Sequence, residues 1–260
     1  MKLLITGGGF VAKAIIRAYP KMDITVMSRT PKPGNWIKGD VVSFKFPKEP
    51  FTHIIHAPLL EAPFEKYESE GLRRVLEYGK SIDAPVLYCS SGAATGDTDY
   101  GPYKRQYGRY KRQAEELCKD AKIARLYAFI GPDLQWDRHY AIMNFIHEAM
   151  TTKHITVKGD GTNVRTWLWQ GDMATRLIGI LKVGSIGRFG WTYDVGSDEE
   201  HTILDAANMV AEETGSTLEV LGKPYGNQRY VPDTKKMYSR EMGDRLPLRE
   251  AIRRTIQCMA

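Results

Sequence analysis

Short apolar runs alternate with stretches of helical periodicity through the first half of the chain. Leu3–Thr6, Ile24–Met27, Ile54–Ala57, Val86–Cys89 and Arg125–Phe129 are rich in Ile, Val, Leu and aromatic residues and read as strands. Between them, Phe10–Tyr19, Tyr67–Tyr78 and Gln106–Lys119 place apolar residues at helical spacing. Strand–helix–strand alternation predicts an α/β protein, with a parallel sheet covered by helices on both faces. After about residue 130 the alternation loosens, and Gly131-Pro132-Asp133 breaks it. A helix over Ile142–Met150, a glycine-rich turn at Lys158-Gly159-Asp160-Gly161 and a helix over Leu204–Thr214 follow. Thr202 is placed to cap the last of these and Gly215 to end it. A final helix runs from about Leu248 to Ile256, with Leu248, Ile252 and Ile256 on one face. Residues 1–130 are expected to form the core. Residues 131–260 are expected to form a small C-terminal lobe interleaved with the last elements of that core.

The turn after the first strand reads Thr6-Gly7-Gly8-Gly9-Phe10-Val11-Ala12 and fits a Gly-x-Gly-x-x-Ala dinucleotide fingerprint. Gly7 permits a tight turn, Gly9 lets a pyrophosphate approach the backbone, and Ala12 allows close helix–strand packing. The helix that opens at Phe10 and Val11 then offers N–H groups and a positive dipole end to phosphates. The second strand ends Met27-Ser28-Arg29, where an NAD site usually has Asp or Glu for the ribose hydroxyls. Ser28 and Arg29 instead suit the 2′-phosphate of NADP, which favours NADP over NAD. Arg29 stacked on adenine, or facing solvent, is the alternative. Asp40, followed by Val41, is placed to accept from the adenine amino group.

Ser90-Ser91 ends the Val86 strand, and Tyr107 and Lys111 lie four residues apart, on one face of a helix. A phenol titrates near pH 10, and a neighbouring ammonium stabilises its phenolate. Tyr107 can then exchange a proton with a sugar hydroxyl while hydride moves to or from nicotinamide. Ser91 is placed to bond the same oxygen and Lys111 to hold the nicotinamide ribose. Tyr100-Gly-Pro102-Tyr-Lys104 has the same spacing, but Pro102 argues against a helix interior.

With these residues in view, the chain resembles the extended short-chain dehydrogenases/reductases, in the nucleotide-sugar epimerase/dehydratase branch. Besides the glycine turn, the resemblance rests on Ile54-Ile55-His56-Ala57, Ser90-Ser91, Tyr107-x-x-x-Lys111 and Arg125–Pro132. Gly159-Asp160-Gly161-x-x-x-Arg165, Asp172 and Val231-Pro232-Asp233-Thr234 extend it into the second half. It implies a Rossmann-type doubly wound parallel sheet with a small C-terminal substrate lobe. It also implies bound NADP or NAD contacted by Gly7, Gly9, Phe10, Val11, Ser28, Arg29, Asp40, Val41, Ala57, Tyr107 and Lys111, and catalysis by Ser91, Tyr107 and Lys111. The substrate would be a nucleotide sugar held by Ser91, Arg165 and Arg229, with 4-epimerisation or keto-sugar reduction as the reaction. A homodimer is a further expectation from the resemblance. Three departures stand out. Gly92-Ala93 replaces the Asp-Glu pair of the family's dehydratases, which disfavours dehydration. Ala128 and Glu68 stand where Asn is common. The segment from Ser91 to Tyr107 is short, which opens the site or changes its roof. Trp167 and Trp169, at alternating spacing, offer one buried ring and one lining the lobe, or an aromatic wall for a base or sugar.

Composition changes this picture little. Three widely spaced cysteines, Cys89, Cys118 and Cys258, form neither a disulfide framework nor a zinc pattern, so no metal is expected and a cytoplasmic setting is the default. No apolar run suits a membrane span, and the N-terminal one is too short for a signal-peptide core. The net charge of +6 is compatible with a solvated surface, an anionic ligand or nucleic acid. Residues 100–112 interleave aromatics with cations, so a single-stranded nucleic-acid binder is a second class to weigh. A non-catalytic NAD(P)-binding sensor is a third.

Overall fold

A computed structural model describes residues 1–47, 51–58, 66–96, 101–136, 140–183, 192–223, 228–235 and 245–259, with the side chains of 66, 101–105 and 223 outside that description. The chain divides into two compact units. The first comprises Met1–Leu126 and Ala174–Asp194, the second Tyr127–Met173 and Val195–Ala260. The division falls a few residues before the expected boundary at 130, and it returns 174–194 to the first unit.

The first unit is built on a seven-stranded sheet. Its strands are β1 (Lys2–Thr6), β2 (Asp23–Ser28), β3 (Trp36–Lys38), β4 (His53–His56), β5 (Val86–Ser91), β6 (Lys122–Leu126) and β11 (Thr192–Val195), in the order β11-β6-β5-β4-β1-β2-β3. The pairs from β3 across to β6 are all parallel. Leu3, Leu4 and Ile5 are all buried, as expected of strands covered on both faces. On one face, Leu4, Ile54, Val86, Tyr88 and Ile123 pack with Leu72, Val75 and Tyr78 of helix α2 (Leu72–Ser81) and with Ala114 of helix α3 (Gly101–Glu115). Helix α1 (Phe10–Ala18) buries Ala12, Ala14 and Ile15. The order of strands reverses between β1 and β4. In open parallel sheets, ligands bind at such a reversal, beyond the carboxyl ends of the strands.

The predicted strand Arg125–Phe129 is two. β6 ends at Leu126, and Phe129–Ile130 (β7) pairs instead with Leu168–Trp169 (β10) in the second unit. The same unit pairs β8 (His154–Gly159) with β13 (Thr217–Lys223), both parallel, and holds a three-stranded sheet, β12 (Glu200–Thr202), β9 (Val164–Thr166) and β14 (Arg229–Tyr230). Helices α4 (Ala141–Thr151), α6 (Ile203–Thr214) and α7 (Leu248–Met259) bury Ile142, Phe145, Ile146, Val210, Leu248 and Ile252. Helix α5 (Gln170–Lys182) contributes to both units. Thr202 accepts from the Asp205 N–H and Asp205 from the Thr202 N–H, a reciprocal cap, and Gly215 ends α6 at φ +62°.

Candidate active site

The glycine turn leaves β1 at Gly7, whose φ is +117°. A Cβ there would lie 1.9 Å from the Ala57 carbonyl oxygen, so only glycine lets the turn pass this close to the end of β4. Gly9 caps α1 without a side-chain bond, and no acidic residue stands in its first turn, where Phe10 and Val11 lie. The positive end of α1 is therefore not neutralised from within the helix. Ser28 and the ring of Trp36 lie against Gly8. Arg29 sits 5.2 Å above the Tyr67 ring and donates to the Tyr67 hydroxyl at 3.2 Å. That hydroxyl donates to Asp40 Oδ2, also at 3.2 Å, while Asp40 Oδ1 accepts from the Val42 N–H. The Val41 carbonyl accepts from Arg74. Arg29 and Asp40, far apart in sequence, are thus linked through Tyr67.

At the far end of β5, Ser91 caps a short turn over Gly92–Thr95 by accepting from the Ala93 N–H. Helix α3 is pressed onto this turn. A Cβ on Gly108 would lie 2.4 Å from the Ala93 carbonyl oxygen. Arg112 donates to the Ala94 carbonyl at 2.8 Å, Ser90 to Glu115 at 2.5 Å, and Arg125 grips the same carboxylate with two nitrogens. Gly108, Lys111, Arg112 and Glu115 share one helical face, and that face docks the helix. Tyr107, half-buried, and Lys111 stand one turn apart on it, with Nζ 5.9 Å from the centre of the Tyr107 ring.

Lys111 is only 2% exposed. Its Nζ donates to the Cys89 carbonyl at 3.1 Å and pairs with Glu68 at 2.7 Å. Glu68 is equally buried. It is delivered by a π-helical turn, Lys66–Gly71, that leads into α2, and it accepts from the Tyr88 hydroxyl. His56 shares a 2.6 Å hydrogen bond with Thr6 and stacks on Tyr88. Burial, then the Lys111 charge, pushes the imidazole down to about 3. Burial raises the Tyr88 phenol well above its ordinary range, with Glu68 adding to it. Burial likewise pushes the Cys89 thiol up to about 12.

The alternative Tyr100–Lys104 pair lies outside the described residues at Tyr100 and at the Lys104 side chain. Pro102 falls in the first turn of α3, where the missing N–H costs nothing. In the second unit, Arg165 is half-buried and donates to the carbonyls of Val164 and Gln228. Arg229 is 61% exposed and paired with Glu200. Arg229 is in register with Val164, so strand alternation puts Arg165 and Arg229 on opposite faces of their sheet. Asp172 accepts from the Leu246 N–H at 2.7 Å. Trp167 is buried and Trp169 half-buried. Among the described residues there is no cluster of three or more His, Cys, Asp or Glu side chains suited to a metal ion, and no helix long and apolar enough to cross a membrane.

Residues 3–196 match the model of the NAD dependent epimerase/dehydratase family. The chain belongs to that family. This epimerase/dehydratase homologue is 24% identical over 217 residues to UDP-glucuronic acid decarboxylase 1 of Danio rerio, covering 74% of this chain and 51% of that protein. It thus spans about half the length of such curated relatives. Its fold matches UDP-glucuronic acid 4-epimerase from Bacillus cereus in complex with NAD, with a TM-score of 0.81 at 20% identity, covering 99% of this chain and 96% of the other. It also matches MoeE5 in complex with UDP-glucose and NAD, again with a TM-score of 0.81 at 20% identity, over 100% and 98% of the two chains. The fold is the Rossmann-like arrangement of extended short-chain dehydrogenases/reductases.

In the sequence, Glu68 stands out only as a departure from an Asn position and His56 only as part of a strand motif. The fold sets Glu68 2.7 Å from Lys111 and stacks His56 on Tyr88, whose ring Lys111 also faces. Nothing in the local pattern marks Tyr67 as a site residue. A glycine inside a helical pattern, next to Tyr107, was the available signal for Gly108, since such a glycine costs about 1 kcal/mol against alanine unless packing requires it.

Proposed function

We propose that this protein is an NADP(H)-dependent oxidoreductase that reduces a keto carbon of a nucleotide-activated sugar, with Tyr107 as proton donor. The observation that carries the reading is Tyr107 and Lys111 on the docked face of α3, next to the turn that begins at Ser91. The residues present fit a dinucleotide. Gly7, Gly8 and Gly9 bring backbone close, the first turn of α1 has no acidic residue, and Ser28 and Arg29 stand where a carboxylate would repel a 2′-phosphate. Phe10, Val11, Asp40, Val41 and Ala57 complete the proposed cofactor set. When bound, the reduced nicotinamide supplies hydride to the carbonyl carbon.

Tyr107 gives its phenolic proton to the substrate oxygen, which becomes a hydroxyl. Lys111 stabilises the phenolate left behind, and solvent returns the proton. Ser91 orients the same oxygen. Gly92 and Ala93 offer no acid for water elimination, which argues against dehydration. Of Arg165 and Arg229, which stand on opposite faces of their sheet, one is the proposed diphosphate ligand of the sugar nucleotide.

Calorimetric titration with NADPH and NADH tests the cofactor half of this reading. Tighter NADPH binding that is lost in Arg29→Ala is expected, and a clear NADH preference would refute it. An epimerase is the second reading, and it requires tightly held dinucleotide recovered from the purified protein on denaturation.

A further inference from the structure

We propose that Glu68 is a positioning residue that offsets the Lys111 charge, keeps Tyr107 a protonated phenol at neutral pH, and so biases the site towards proton donation. The proposal rests on the reading of Tyr107 and Lys111 as the catalytic pair. An uncompensated ammonium beside a phenol favours the phenolate. Here the ammonium is 2% exposed, and a carboxylate of equal burial is 2.7 Å away, so solvent screens the pair little.

The other titratable groups around Lys111 do not replace Glu68. His56 on β4 is neutral, with its imidazole pushed down to about 3. Tyr88 and Cys89 on β5 are held in their neutral forms by burial, as is Cys118 just beyond α3. Glu115, one turn further along α3, is held by Ser90 and Arg125. Among the described residues Glu68 is therefore the anion paired with Lys111, and the Tyr88 hydroxyl fixes its carboxylate in place. A phenol that keeps its proton suits reduction, in which the substrate oxygen must gain one. Oxidation requires a phenolate to take one away. The residue where the family commonly has a neutral amide thus sets a direction for the chemistry.

The test is a direct titration of Tyr107 in the full-length protein, isotope-labelled at tyrosine Cζ and followed by NMR, with Tyr107→Phe assigning the signal. Glu68→Gln is expected to lower the apparent pKa of Tyr107 by about one unit or more. Glu68→Asp retains the charge at a longer reach. It is expected to shift Tyr107 in the same direction by less, and it carries the test if the Gln variant does not fold. Adding Lys111→Met to Glu68→Gln should reverse the shift. If Tyr107 titrates at its wild-type pH in the Glu68 variants, yet moves up when Lys111→Met is added, Glu68 does not act as proposed and the Tyr107–Lys111 reading stands. If adding Lys111→Met has no effect either, Lys111 does not act on Tyr107, and the underlying reading falls with the proposal.

Discussion

Lys111 and His56 show two ways of placing an ionisable group where charge is costly. Lys111 is paired with Glu68, whereas His56 gives its charge up. Removing one member of a buried pair typically costs about 3–5 kcal/mol, so Lys111→Met alone should lower unfolding free energy by that order, measured by urea denaturation. For His56 the sign follows from its depressed pKa. The unfolded chain binds a proton below about pH 6.5, and the folded protein does not until about 3. Stability is therefore full above pH 6.5 and falls as the pH drops towards 3, by up to about 1.4 kcal/mol per pH unit from this group. Urea unfolding at pH 6.5 and pH 5 should show a shallower loss in His56→Gln than in the wild type, and equal slopes would contradict the assignment.

At the level of elements, α3 is the part whose placement decides the site. Gly108 allows its contact with the turn after Ser91, since a Cβ there would meet the Ala93 carbonyl at 2.4 Å. On an open helix face Gly→Ala stabilises. Here Gly108→Ala should destabilise by about 1–3 kcal/mol in chemical denaturation, because the helix must lift off the turn. The one-turn spacing of Tyr107 and Lys111 is legible in the sequence because it is local to one helix. Glu68 is not, because its partner is brought to it by the parallel pairing of β4, β5 and β6 and by the π-helical turn before α2. Local rules also made the α6 cap readable, and Thr202→Ala should cost about 1 kcal/mol. They failed at Arg125–Phe129, where one apolar run serves two sheets and the change of partner at Tyr127 leaves no mark in composition.

For the molecule as a whole, the alternation of strands and helices was sufficient to anticipate a doubly wound parallel sheet, since a chain of this pattern has few other ways to bury its strands on both faces. The interleaving of the second half with the core is an expectation of the sequence, but which residues return to the core is not marked in it. Residues 174–194 rejoin the first unit after a long excursion, through a helix whose apolar residues look like those of any other. Family membership brings nicotinamide chemistry into view, and the proposed form of it rests on the Arg29–Tyr67–Asp40 link and the Glu68–Lys111 pair. The most direct measurement is NADPH consumption, followed by absorbance, with a panel of UDP- and dTDP-4-keto sugars, comparing wild type with Tyr107→Phe. Turnover with at least one of these sugars, reduced at least about 100-fold in the variant, is the expected result. Turnover undiminished in Tyr107→Phe, or none with any keto sugar nucleotide, would contradict it.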